Sequence, residues 1–257
     1  MTDPDRSSAD RDVWDGRPRD GDDDSPRGGD DDRPRDGDDE RSNEVGADGW
    51  PVDLRGVTES VVATLGPNDR WNHAALGIHA PADADAPATA RTYGRTRTWR
   101  NFTERGSGVV QFTVDPREFV DAALTIRESD EPVLPNADAW VRVRVAETGE
   151  RVEGDTTIRT WALEPIEFEV VTERVPTINR GFGAVIDATV AASRLDVDAF
   201  DTDDLIDRLR YFADVVDRCG GPREREAFAR IDEATGWRER TERTAASDHA
   251  DEKTARD

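Results

Sequence analysis

The stretch from Arg91 to Phe102 reads RTYGRTRTWRNF. It concentrates groups able to hold an anion. Arg91, Arg95, Arg97 and Arg100 alternate with Thr92, Thr96 and Thr98, and no acidic residue occurs from Ala86 to Thr103. That gap is notable in a chain of formal net charge −23. Hydroxyls beside the free N–H groups of a helix start suit a phosphate, and arginine forks can close over it. The spacing predicts such a corner. Thr89–Arg97 reads as a strand, and Trp99–Arg105 as a short helix with Thr98 as N-cap and Gly106 as its stop. The competing reading is a solvated edge strand whose arginines pair with acids elsewhere. The stretch is neither a P-loop nor a dinucleotide-binding fingerprint.

Other reactive types have weaker settings. His73 and His79 are six apart on an expected strand, hence on one side of it, with no third ligand nearby; a metal site is not expected. Cys219 is the only cysteine, so no disulfide forms within the chain. Its helical, apolar setting before Gly220-Gly221 predicts a buried structural thiol. Glu167 and Glu169 fit the solvent face of a strand, and no carboxylate pair stands out as a general acid and base.

The elements that position the basic stretch follow from periodicity. Val57–Leu65 and Trp71–His79, around the turn Gly66–Arg70, predict a hairpin. Val109–Val114 reads as a strand. Asp115, Pro116 and Glu118 predict a capped helix with a capping box. Ala139–Ala146 alternates, and Thr157–Val171 supplies one or two further strands. The period then becomes helical over Phe182–Arg194, over Thr202–Cys219 with Thr202 as cap, and over Pro222–Thr235 before Gly236. Strands followed by helices make an α+β protein, an antiparallel barrel or sheet with a C-terminal helical region.

Composition sets the outer bounds. Only 35% of residues are apolar and 36% are charged, so part of the chain cannot bury a core. Residues 1–48 are mostly Asp, Arg, Gly, Pro and Ser with almost no apolar side chain, and RPRDGDD occurs at Arg17–Asp23 and again at Arg33–Asp39. They are expected to be a disordered acidic tail. Residues 238–257 are expected to be a polar, frayed end. Abundant Asp with a single lysine, Lys253, points to a high-salt setting or simply to an acidic protein. The net charge argues against nucleic-acid binding. No apolar run reaches membrane length and no signal peptide precedes the tail, so the expected location is cytoplasmic.

Five blocks together carry a resemblance: Glu59 in TESVVAT, Asn72–Gly77 in NHAALG, Thr96-Arg-Thr98 with Asn101-Phe102, Gly108–Leu124, and Ile178–Leu195 after Trp140. In order and spacing, over about Val57–Ile231, they resemble an archaeal family of uncharacterised proteins with the FMN-binding split-barrel fold. That family is distantly related to pyridoxamine phosphate oxidase and to flavoredoxin-type flavin reductases. The resemblance implies an antiparallel split β-barrel over 49–177, a helical region over 178–237, and a homodimer with FMN near the subunit interface. It implies that Thr98 and Asn101, a Thr-x-x-Asn motif, help hold the FMN phosphate. Arg95 and Thr96 belong to the same corner. Asn72, Ala74, Ala75 and Gly77 would border the isoalloxazine, the small residues leaving room for a flat ring; tight strand packing explains them equally well. Gln111 stands where the family commonly has Asn. Asn179 and Arg180 match a motif for which helix capping is an equal reading. The function so implied is an FMN-binding flavoprotein, an oxidoreductase with a transient nicotinamide electron donor. The alternatives are a non-catalytic FMN binder and a ligand-free scaffold.

Overall fold

The computed structural model describes residues 49–83 and 85–240. The disorder expected for 1–48, and nearly all of the frayed end expected at 238–257, lie outside these residues.

Strands β1 (Val57–Leu65) and β2 (Trp71–His79) form the expected hairpin, in register from Val57↔His79 to Leu65↔Trp71. The remaining strands are β3 (Ala88–Tyr93), β4 (Ser107–Phe112), β5 (Arg127–Ser129), β6 (Ala139–Glu153) and β7 (Thr156–Val170). The order β1-β4-β6-β7-β3-β2 closes through the β1–β2 pairing into a six-stranded antiparallel barrel. β2 is the seam. Its first residues, Trp71–His73, pair with β5, whereas only Ile78 and His79 pair with β3. Among the described residues the second edge of Ala74–Gly77 has no strand partner, which splits the barrel.

Alternation sends one face of each strand inward. Val62, Leu76, Ile78, Val110, Val141, Val143, Trp161 and Leu163 fill the barrel. Phe102 inserts from helix α1 (Arg97–Arg105) and meets Trp161 edge-on at 5.3 Å. A fully buried aromatic of this kind stabilises by roughly 1.5–3 kcal/mol relative to exposure. Outward-facing Val61 is covered by Ala122 of α2 (Pro116–Leu124) and by Leu134. Val120 of α2 faces a second core, built with α3 (Arg180–Ala192), α4 (Thr202–Cys219) and α5 (Pro222–Thr235). There α3 meets the end of α4 so closely that a Cβ on Gly181 would lie 2.5 Å from Gly220 Cα.

Several local expectations shift. The third strand stops at Tyr93 because Gly94 adopts φ +67°. Thr96, not Thr98, caps α1: it is extended, and its Oγ1 accepts the Trp99 N–H at 3.1 Å. The α2 capping box does not form, since Asp115 accepts the Arg117 N–H while Glu118 is drawn to Arg127 and Asn136. Asp201 rather than Thr202 caps α4, and α3 starts two residues early behind Asn179. Cys219, expected buried, is exposed, because α4 buries Val215 and Val216 and then ends.

Candidate functional site

Three features make the corner between β3 and α1 unusual. The first is its backbone. The amides of Trp99 and Arg100 bond to Thr96. Those of Arg97 and Thr98 have no acceptor among the described residues, and α1 has no acid in its first turn. Unanswered N–H groups and the helix dipole both favour an anion there. The second is charge. Arg97 supports the edge-strand reading, since its Nη1 lies 2.6 Å from Glu128 Oε1. Arg95 and Arg100 are exposed and carry no ion pair among the described residues. The third is a polar wedge beneath the helix. Buried Asn101 donates through Nδ2 to Thr64 Oγ1 at 3.0 Å and to Thr64 O at 3.4 Å. Thr64 lies opposite Asn72, also buried, so three polar residues meet at this end of the barrel. Asn101 Oδ1 is buried without a partner, and such an acceptor costs about 1–3 kcal/mol unless a donor reaches it. Thr98 is buried beside it, its hydroxyl without a partner among the described residues.

The other expected residues are spread more widely. Ala74 packs against the barrel core, and Ala75 is on the opposite face, across from Val61. Gly77 faces Glu59, and a Cβ there would lie 2.9 Å from Val57 Cγ1, so packing already accounts for that glycine. Gln111 is fully engaged: Nε2 donates to Pro132 O at 2.9 Å, and Oε1 accepts the Leu134 N–H at 2.6 Å. It anchors a loop. For Asn179 the capping reading holds, its Oδ1 accepting the amides of Gly181 and Phe182. Arg180 is the first residue of α3, exposed, at the opposite end of the barrel from α1. The structure thus gathers Arg95, Thr96, Thr98, Asn101 and Asn72, seats Ala74 in the barrel core on the same strand face as Asn72, and uses Gln111 and Arg180 elsewhere. Thr64 was missed from sequence; the hairpin register, which sets it across from Asn72, was the available signal.

His73 is buried. Ser129 donates its hydroxyl proton to Glu131 O at 2.6 Å, so His73 Nε2–H donates to Ser129 Oγ at 2.6 Å, leaving Nδ1 unpartnered. Burial, then the Arg127 charge, lower its pKa to about 4, with Glu118 and a backbone bond opposing. A neutral, locked ring is a structural histidine. Among the described residues no group of three or more His, Cys, Asp or Glu is placed to hold a metal. No described helix is long and apolar enough to cross a membrane.

Barrel and corner together define the class: an antiparallel split-barrel protein with a basic helix N-terminus at one barrel end. Comparison with known proteins agrees with that architecture. The family model described as "Protein of unknown function (DUF447) N-terminal domain" matches residues 58–172, and its companion "Protein of unknown function (DUF447)" matches 179–233. The chain belongs to the DUF447 family. The crystal structure of the FMN-bound DUF447 protein MM1853 from Methanosarcina mazei has the same fold, with 24% identity and a TM-score of 0.60 over 70% of this chain and 96% of that one. More distant likenesses include the flavin reductase HpaC in complex with NADP+, with 16% identity and TM-score 0.34 over 46% and 81% of the two chains. Another is an FMN-binding protein from Thermus thermophilus, with 15% identity and TM-score 0.34 over 45% and 72%.

Proposed function

We propose that this chain is an FMN-binding flavoprotein whose cofactor phosphate lies at the N-terminus of α1. The observation that carries the reading is the open corner itself: among the described residues, two unanswered amides and two unpaired arginines, with no carboxylate in the first helical turn. The fold shared with FMN-bound MM1853 supports it. The Arg97 and Thr98 amides and the Arg95 and Arg100 guanidiniums would hold the phosphate. The orphaned Asn101 Oδ1 is an acceptor, so it suits a ribityl hydroxyl rather than a phosphate oxygen, while its amide group holds α1 to β1 through Thr64. Ala75 and the unpaired edge of Ala74–Gly77 would border the ring. The flavin, when bound, supplies electron transfer; the protein supplies position and charge.

The finer reading is an oxidoreductase that takes electrons from a transient nicotinamide donor, in a homodimer. Exposed Val171, Val175 and Ile178 on the segment before α3 support a partner copy. The acidic composition supports a high-salt setting, where hydrated carboxylates keep the surface soluble. Purified protein should show visible flavin absorbance, or acquire it on addition of FMN; failure to take up FMN overturns the reading. Anaerobic bleaching by NAD(P)H would then establish an oxidoreductase over a non-catalytic FMN binder.

A further inference from the structure

At the barrel end opposite α1, an open groove of about 880 Å³ lies between β1, β4, the ends of β6 and β7, and α3. This is within the range of small-molecule sites, roughly 300–1,000 Å³. Phe112, Phe119, Phe182 and Ile186 form apolar walls. The charges at the groove are strongly one-sided: Glu59, Asp138, Glu173 and Asp187 reach it, against Arg174 alone. That single guanidinium is already answered, with Nε 2.7 Å from Asp138 Oδ1, and Asp138 Oδ2 accepts the Val114 N–H at 3.1 Å. Glu59 has neither an ion pair nor a side-chain hydrogen bond among the described residues. Its oxygens lie 3.7 and 3.9 Å from where a Cβ on Gly77 would stand. Glu59 is exposed at the mouth of the groove, and partial desolvation against its apolar wall raises its pKa.

We propose that this groove binds an amphipathic organic cation, with its ammonium on Glu59 and its hydrocarbon body against Phe112, Phe119, Phe182 and Ile186. Charge decides the class. A phosphate or carboxylate ligand would meet unanswered acids and no free cation. A neutral apolar ligand would leave the Glu59 charge desolvated and unpaired, which is costly. A protonated amine answers the carboxylate and fills the apolar walls together. The groove lies at the other barrel end from the anion-seeking corner at α1, and its Glu59 side adjoins Gly77, on the edge proposed to border the ring.

The test uses the full-length protein and phenethylamine as probe, followed by isothermal titration calorimetry, with 2-phenylethanol and phenylacetate as neutral and anionic controls. Phenethylamine should bind, and both controls should bind at least about tenfold more weakly. Glu59→Gln should weaken the amine by about the same factor. Ile186→Trp should abolish binding by filling the groove. Equal affinity for 2-phenylethanol on wild-type protein would overturn the assignment even if both variants failed to fold. So would unchanged amine affinity in Glu59→Gln, or no heat at millimolar amine. The titration is run with and without FMN, and amine binding is expected in both. Failure of FMN to bind would overturn the flavin reading and leave this one standing.

Discussion

Helices α1 and α2 are each nine residues long and each starts behind a polar cap, yet their electrostatics are opposite. Around α2 the charges are answered. Asp115 caps the helix and takes a two-pronged contact from Arg117, at 2.9 and 2.6 Å, and Arg117 reaches Glu226 at 2.8 Å. Glu118 pairs with Arg127, and Asp121 with Arg230 of α5. Around α1, two amides, two arginines and one buried acceptor are left over among the described residues. A helix end with every group answered is finished by folding. One with several groups open has a standing cost that a ligand can remove. The difference separates a joint in the fold from a place to bind.

The largest effect should come from reversing the open helix. Arg95→Glu with Arg100→Glu replaces two exposed cations beside the proposed phosphate. FMN affinity should fall about 10³-fold, read by fluorescence titration, with little change in thermal midpoint. Unchanged affinity would place the phosphate elsewhere.

Next is His73, beside the ion pair of Glu118 in α2 and Arg127 in β5. Its folded pKa of about 4 lies below its ordinary 6.5. The unfolded chain therefore binds the extra proton first. The neutral ring's stabilisation is complete above pH 6.5 and is lost as pH falls toward 4, by about 3 kcal/mol. Urea titrations across that window should show a steeper acid loss for wild type than for His73→Gln; equal slopes would refute the assignment.

At the closed helix, Asp115→Ala removes a cap and the Arg117 contact together. It should cost about 2 kcal/mol in urea unfolding and leave FMN affinity unchanged. The smallest effect is Thr96→Ala, which loses only a cap, about 1 kcal/mol of stability. A much larger loss of FMN affinity in that variant would mean that the Thr96 hydroxyl itself touches the ligand.

The β1–β2 hairpin was legible to the residue because its alternation, its turn and its β-branched content all agree. The basic corner was legible as charge. Its cap was misread by two residues because both threonines satisfy the same short-range rule, and only the φ of Gly94 chooses between them. β5 was not anticipated, since three half-buried residues, Arg127–Ser129, carry no periodicity. Gln111 looked like a ligand contact until the loop at Pro132–Leu134 took both ends of its amide. Glu59 was noted only as part of a block, because nothing local shows that it faces a groove.

The sequence alone determined that a strand-rich part precedes a helical one, that the charge is acidic apart from one eighteen-residue stretch, and where hydroxyls and arginines alternate. Those are properties of neighbours along the chain. Tertiary structure alone decided which charges are answered. Arg97 meets Glu128 from thirty-one positions away, Asn101 meets Thr64 from thirty-seven, and Arg95 meets no partner among the described residues. Pairing depends on distance in space, and only closure of the barrel sets that distance.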